Sequence, residues 1–264
     1  MAQPEASSSL LAKEIEEHIT QVQECGNVVE PGSIVVFPVD QFEKILASGN
    51  YKTVKIVHFT RHGEGTHNLK VKEIGYACQC TTSSPVGPCP YKNEELLDAR
   101  LTAKGRAEAK INNEYITNNN IVIECACTSP LSRAIETGLI SIEGERLKNI
   151  PFYSADFMRE QSGNHICDKR RPKVELERDF TRIDFSSLEE FDTYYDPDVR
   201  EEKSKLAARC LRTIRYIQDL PFTNIAFFGH SGFLCTLFGS IFGTSARDTW
   251  FNTGEMRSLT VAWK

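Results

Sequence analysis

The chain has no excess of positive charge. Its 264 residues carry 31 Lys and Arg against 36 Asp and Glu, a net charge of −5. General nucleic-acid binding, which needs a basic face, is therefore not expected, although a local basic pocket remains compatible with this balance. Long apolar runs are also missing. Segments such as Ile121 to Cys127 are far too short to span a bilayer, so no membrane association is expected. The opening MAQPEASSSLLAKEIEEHI is charged and has no apolar stretch of the secretory type. There is no internal repeat and no long linker. The nine cysteines are odd in number and spread along the chain, which suits reduced thiols in a cytoplasmic protein better than a disulfide framework.

Cysteine and histidine spacing argues against a metal site. Cys78, Cys80 and Cys89 crowd one loop but lack C-x-x-C spacing and a clear fourth ligand. Cys125 and Cys127 point to one face of a strand and are expected to fill core. His58 lies four residues before His62, and no carboxylate spacing accompanies it, so a structural hydrogen bond is expected there. No metal and no cofactor is predicted.

What is present is regular alternation. Leu11, Ile15, Ile19 and Val22 predict an amphipathic helix after Ser9, and Ser33 to Leu46 reads as a short strand followed by a helical turn. Residues 1–52 are taken as a helical extension packed on or flanking a core domain of residues 53–264. From Thr53, β-rich runs alternate with helical ones. The strands are expected at Thr53 to Phe59, Ile121 to Cys127, Asn224 to Gly229 and Arg257 to Trp263. Helices are expected near Asn68, from Leu101 to Ile116 with Thr102 as N-cap, from Pro130 to Ile142, from Asp198 to Asp219, and from about Gly232. The face Val199, Leu206, Cys210, Ile214 and Ile217 predicts burial of the long helix. Residues 75–91 read as a loop. This order predicts an α/β fold, a three-layer α/β/α sandwich around a mostly parallel sheet.

In such sheets ligands bind beyond the carboxyl ends of the strands. Here those ends supply Arg61 with His62, Arg133, and His230. Two guanidiniums and two imidazoles gathered at one edge would form an anion pocket, because arginine forks donate paired hydrogen bonds to tetrahedral oxyanions. Helix N-termini near Pro130 and Gly232 would add backbone N–H groups. A neutral imidazole at the centre can attack phosphorus and carry the phosphoryl group.

These runs resemble the ordered blocks of the histidine phosphatase superfamily, branch 1, in its phosphoglycerate mutase-like plant and fungal subgroup. RHGEGTHN (Arg61 to Asn68) is similar to R-H-x-x-G-x-H-N. DARLTAKGRAEA (Asp98 to Ala109) resembles D-x-x-L-T-x-x-G-x-x-Q-A, with Glu108 in place of Gln. SPLSRAIET (Ser129 to Thr137), MREQSGNHICDKR (Met158 to Arg170), GHSGF (Gly229 to Phe233) and NTGEMRS (Asn252 to Ser258) follow in the family's order. The resemblance covers the chain from about Thr53 onward.

It implies a phosphoglycerate mutase-like fold and roles residue by residue. His62 would accept the phosphoryl group. Arg61, Arg133 and His230 would hold the phosphate, assisted by Asn68, and Ser231 and Arg170 join this binding set. Glu160 would protonate the leaving group, with Asp168 as its rival. In the family's other branch that proton comes from an Asp after the second histidine; Ser231 stands there, so a separate acid is needed. For His67, contact with substrate and capping of the next helix both stand open.

The implied function is metal-independent hydrolysis of a small phosphomonoester. The alternative is a phosphoglycerate mutase-type isomerase, against which stand the absent F-x-G-W-x-D segment and the short stretch after the final strand. A non-catalytic phospholigand binder would require loss of catalytic groups, and none is lost. A serine hydrolase is disfavoured because G-x-S-x-G fails at Phe233.

Overall fold

A computed structural model describes residues 33–74 and 89–264. The helix expected after Ser9, together with Cys78 and Cys80, lies outside the described residues. Six strands form one sheet in the order β1-β6-β2-β5-β3-β4. They are β1 (Ile34–Pro38), β2 (Thr53–Arg61), β3 (Cys125–Thr128), β4 (Phe152–Ser154), β5 (Asn224–Gly229) and β6 (Met256–Trp263). β2, β5, β3 and β4 run parallel to one another, while β6 pairs antiparallel with both β2 and β1. The helices are α1 (Phe42–Ala47), α2 (Thr66–Ile74), α3 (Ala103–Asn118), α4 (Ser132–Ser141), α5 (Glu145–Asn149), α6 (Lys173–Asp179), α7 (Lys203–Asp219) and α8 (Ser231–Thr236).

Strand periodicity divides the core in two. Cys125 and Cys127 of β3, and Ile225 and Phe227 of β5, face one cluster with Leu206, Cys210, Ile214 and Ile217 of α7 and Phe233 of α8. Their neighbours Ala126, Ala226 and Phe228 face a second cluster with Ile116 of α3, Ile135 of α4 and Leu176 of α6. Alternate side chains of a strand point to opposite faces, so helices cover both sides and the three-layer arrangement follows.

Several boundaries differ from the sequence expectation. β1 is hydrogen-bonded to β6, so the sheet takes in residues ahead of the boundary drawn at 52/53. Ile121 to Glu124 is not strand: the Ile121 N–H closes the end of α3 on Ile116 O at 3.0 Å, and Val122 is exposed. α7 begins at Lys203 rather than Asp198, and Val199 is exposed rather than on the buried face. α4 starts at Ser132, two residues after Pro130. Thr102 does cap α3, its Oγ1 accepting from Gly105 N at 3.1 Å.

Candidate active site

Parallel register brings the strand ends to one edge. Arg61 of β2 lies opposite Gly229 of β5, and Thr128 of β3 opposite Phe228. His62 N then donates to Gly229 O at 2.9 Å, and Ser129 N to Phe228 O at 3.0 Å. The residues that follow, His62 and His230, are consequently side by side with ring centroids 5.1 Å apart. Both are buried.

The His62 ring is oriented by its own loop. Nδ1 lies 2.6 Å from Gly63 O. A carbonyl only accepts, so Nδ1 carries the proton and Nε2 keeps its lone pair. Burial, then the charges of Arg133 and Arg61, hold the imidazole well below its ordinary pKa. His230 is likewise kept neutral by burial and then by Arg133. Neither of its ring nitrogens has a hydrogen-bond partner among the described residues. The same is true of Nε of both Arg61 and Arg133. Buried polar groups are normally satisfied, so a cluster of such atoms at one edge fits an oxyanion ligand.

Each guanidinium is anchored from behind. Arg61 Nη1 donates to Phe251 O at 2.7 Å, and its carbon lies 5.2 Å from the centroid of the Trp250 ring. Burial lowers the Arg61 pKa to about 10, which still leaves it charged at neutral pH. Arg133, near the start of α4, donates to Cys167 O at 2.6 Å and to Asp168 Oδ1 at 2.8 Å. Arg200 holds the other oxygen of Asp168, also at 2.8 Å. Burial alone would raise the Asp168 pKa, but Arg200 and then Arg133 outweigh it and hold it at about 2. Asp168 is thus ionised at neutral pH and orients arginines, a poor arrangement for a proton donor.

Glu160 is brought to the site from a different element. It follows the 3-10 turn Asp156–Met158 and reaches the N-terminus of α8. Oε2 accepts from Gly232 N at 2.9 Å and from Ser231 Oγ at 3.5 Å; Oε1 accepts from Phe233 N and Gln161 N, each at 2.9 Å. The carboxyl group therefore stands beside the residue that follows His230. Ser231, expected in the phosphate-binding set, has its hydroxyl on Glu160. Asn68 supports the loop: its Oδ1 accepts from Gly65 N at 3.0 Å.

Arg170 requires a correction. It is buried, with Nε and Nη2 on Asp156 at 2.8 and 3.1 Å and further bonds to the carbonyls of Glu189, Glu190, Phe191 and Arg171. Every donor is engaged within the protein, so it is a structural arginine and not part of the phosphate-binding set. His58 is structural as expected, with Nδ1 2.7 Å from Ser258 Oγ.

The structure adds Thr137, Tyr91, His165 and Arg200, which sequence reasoning did not single out. Thr137 Oγ1 accepts from Gly63 N at 3.0 Å and donates to Arg133 O at 2.7 Å, tying the His62 loop to α4. Its place one turn after Arg133 is the signal that could have found it. His67, with its ring centroid 5.5 Å from that of His62, continues into a wall of Tyr91 and His165 with centroid separations of 6.0 and 4.8 Å. No local pattern pointed to Tyr91 or Arg200. Among the described residues no group of three or more His, Cys, Asp or Glu side chains is placed to hold a metal ion, and no helix is long and apolar enough to cross a membrane.

The family model of the histidine phosphatase superfamily (branch 1) matches residues 91–262. That stretch includes Arg133, Glu160 and His230, while Arg61 and His62 lie ahead of it. A phosphoglycerate mutase-like protein of Arabidopsis thaliana is 28% identical over 222 residues, 74% of this chain and 77% of the relative. Phosphoglycerate mutase-like protein 1 of the same plant is 26% identical over 208 residues, 68% and 69% of the two chains. In fold, the chain is similar to an Escherichia coli protein provisionally assigned as an alpha-ribazole-5′-P phosphatase. The TM-score is 0.51 at 16% identity, covering 80% of this chain and 94% of that one.

Proposed function

This chain belongs to branch 1 of the histidine phosphatase superfamily, and from that premise we propose that it hydrolyses small phosphomonoesters through a phosphohistidine on His62. The observation that carries the reading is the Nδ1 contact of His62 with Gly63 O, which leaves Nε2 as a neutral nucleophile among charged guanidiniums.

In the first step the Nε2 lone pair forms a bond to phosphorus and the bond to the ester oxygen breaks. Arg61, Arg133 and His230 donate to the phosphoryl oxygens, where charge is concentrated. Glu160, whose carboxyl group stands beside the residue after His230, gives a proton to the leaving alkoxide, a poor leaving group without help. Oε2 suits this role because its second contact, to Ser231, is long. In the second step water attacks phosphorus, its proton passes to the Glu160 carboxylate, and the N–P bond breaks to release inorganic phosphate. The two arginines supply the charge that a metal ion supplies in other phosphatases.

His62→Ala is expected to remove turnover of phosphomonoesters, and the acid-labile protein phosphate formed by the unaltered protein should vanish with it. Near-normal activity in that variant would overturn the mechanism. The names of the Arabidopsis relatives favour a second reading, isomerisation of phosphoglycerate. With 3-phosphoglycerate and added bisphosphoglycerate, release of inorganic phosphate should outpace formation of 2-phosphoglycerate. The reverse order would replace hydrolase by mutase.

A further inference from the structure

α7 buries six apolar residues, Leu206, Ala207, Cys210, Leu211, Ile214 and Ile217, yet an arginine is buried with them. Arg209 is only 7% exposed. Its fork reaches the segment that carries Glu160. Nη1 donates to Phe157 O at 3.2 Å and Arg159 O at 2.9 Å, and Nη2 donates to Glu160 O at 3.0 Å. Nε and Nη2 also grip the two oxygens of Glu201, Nε at 2.7 Å. The pair is therefore neutral overall and acts through directed hydrogen bonds.

Glu201 closes the clamp from the other side. Its Oε2 accepts from Ser162 N at 3.0 Å, its N–H donates to Ser162 O at 2.9 Å, and its carbonyl accepts from Gln161 Nε2 at 2.7 Å. Residues 159–162 lie in neither helix nor strand. Arg209 takes up the carbonyls of Arg159 and Glu160, and Glu201 takes up the N–H and carbonyl of Ser162. Glu160 is thus held at two points: its backbone by α7 and the residues just before it, and its carboxyl group by the N–H groups of α8.

We propose that Arg209, paired with Glu201, is a positioning residue that sets where Glu160 presents its proton to the leaving group. The proposal rests on the reading of Glu160 as the acid. Proton transfer requires hydrogen-bond reach, and a misplacement on the order of 1 Å can cost a large part of the rate. Lysine cannot replace the guanidinium here, because one ammonium cannot reproduce a planar fork shared among three carbonyls and a carboxylate.

The test compares an alkyl phosphate, glycerol phosphate, with 4-nitrophenyl phosphate, whose leaving group needs little protonation. Glu160→Gln, Arg209→Lys and Glu201→Gln are measured side by side below their melting temperatures. Selectivity is read in kcat/KM, which reports the step in which the ester oxygen leaves, because hydrolysis of the phosphoenzyme is common to both esters. Glu160→Gln should lose kcat/KM mainly on the alkyl ester. Arg209→Lys should show the same selectivity, its kcat/KM falling at least about tenfold more on the alkyl ester than on the nitrophenyl ester. Glu201→Gln weakens the same fork by a smaller change and should shift the ratio in the same direction, which covers the case of a poorly folded lysine variant. Equal losses on both esters in the Arg209 and Glu201 variants, with Glu160→Gln selective, would show a merely structural clamp and overturn the proposal alone. A Glu160→Gln variant without selectivity would remove the acid assignment itself, and the positioning role with it.

Discussion

Arg133 and Arg170 are both buried arginines near the same loop, and they differ in what their donors already hold. Arg133 Nε has no partner among the described residues, whereas Nε, Nη1 and Nη2 of Arg170 are all bonded within the protein. The consequences of removing them should differ accordingly. Arg170→Met leaves the Asp156 carboxylate short of its main partner in a buried setting. Such losses cost about 3–5 kcal/mol, so urea unfolding should show a much lower midpoint, with KM little altered in protein that remains folded. Arg133→Met should instead lower kcat/KM by about two orders of magnitude or more, as loss of a phosphate-holding group does. An unshifted midpoint in Arg170→Met, together with a raised KM, would return Arg170 to the ligand pocket. In the sequence the two arginines are indistinguishable, because each sits in a matching block and the difference lies in partners up to 35 residues away.

At the scale of elements, the His62 loop rests directly on the first turn of α3. A Cβ on Gly63 would stand 2.3 Å from Gly105 O, and one on Gly105 would stand 2.2 Å from Glu64 O. Both obstacles are backbone and cannot rotate away. Gly63→Ala and Gly105→Ala should each destabilise the protein by about 1–3 kcal/mol or more, the range for overpacking. They should also lower the yield of phosphoenzyme, because the shift needed to relieve the clash moves the carbonyl that orients His62. Denaturation midpoints and a quench assay check the two effects, and a variant with wild-type values for both would contradict the close approach. Gly105 was visible as part of a motif, but its reason, contact with a loop some forty residues earlier, was not.

At the scale of the whole molecule, burial of imidazoles couples stability to pH. His58 and His165 are lowered to about 4 by burial, and His62, His67 and His230 are driven well below their ordinary value by burial first. An unfolded histidine titrates near 6.5. Below that pH the unfolded chain binds protons that the folded protein refuses, so the native state loses stability as pH falls from 6.5 toward 4. For His58 alone the loss is on the order of 3 kcal/mol by pH 4. Asp168, held at about 2, contributes stability that is lost only at lower pH and leaves this window to the histidines. Melting temperatures should be nearly flat between pH 7 and 8 and fall steadily between pH 6.5 and 4. A flat profile through that range would mean that the imidazoles are not buried as described.

What the sequence by itself determined about this protein is what near neighbours encode. Apolar periodicity placed most of the strands and helices, and the α/β order implied where a ligand would sit. Contiguous blocks carried Arg61, His62, Arg133, Glu160 and His230. Periodicity weakens where burial ends, which is why α7 began five residues later than expected and Val199 proved exposed. The tertiary structure alone decided partners. Parallel register set His62 beside His230, and the N-terminus of α8, 72 residues on, received the Glu160 carboxyl group. Arg61 found the Phe251 carbonyl 190 residues away, and Arg170 was taken up by Asp156. A side chain's chemistry is local, but the atoms that satisfy or leave open its hydrogen bonds are brought by folding, and it is those atoms that separate an arginine with an open donor from one whose donors are all taken.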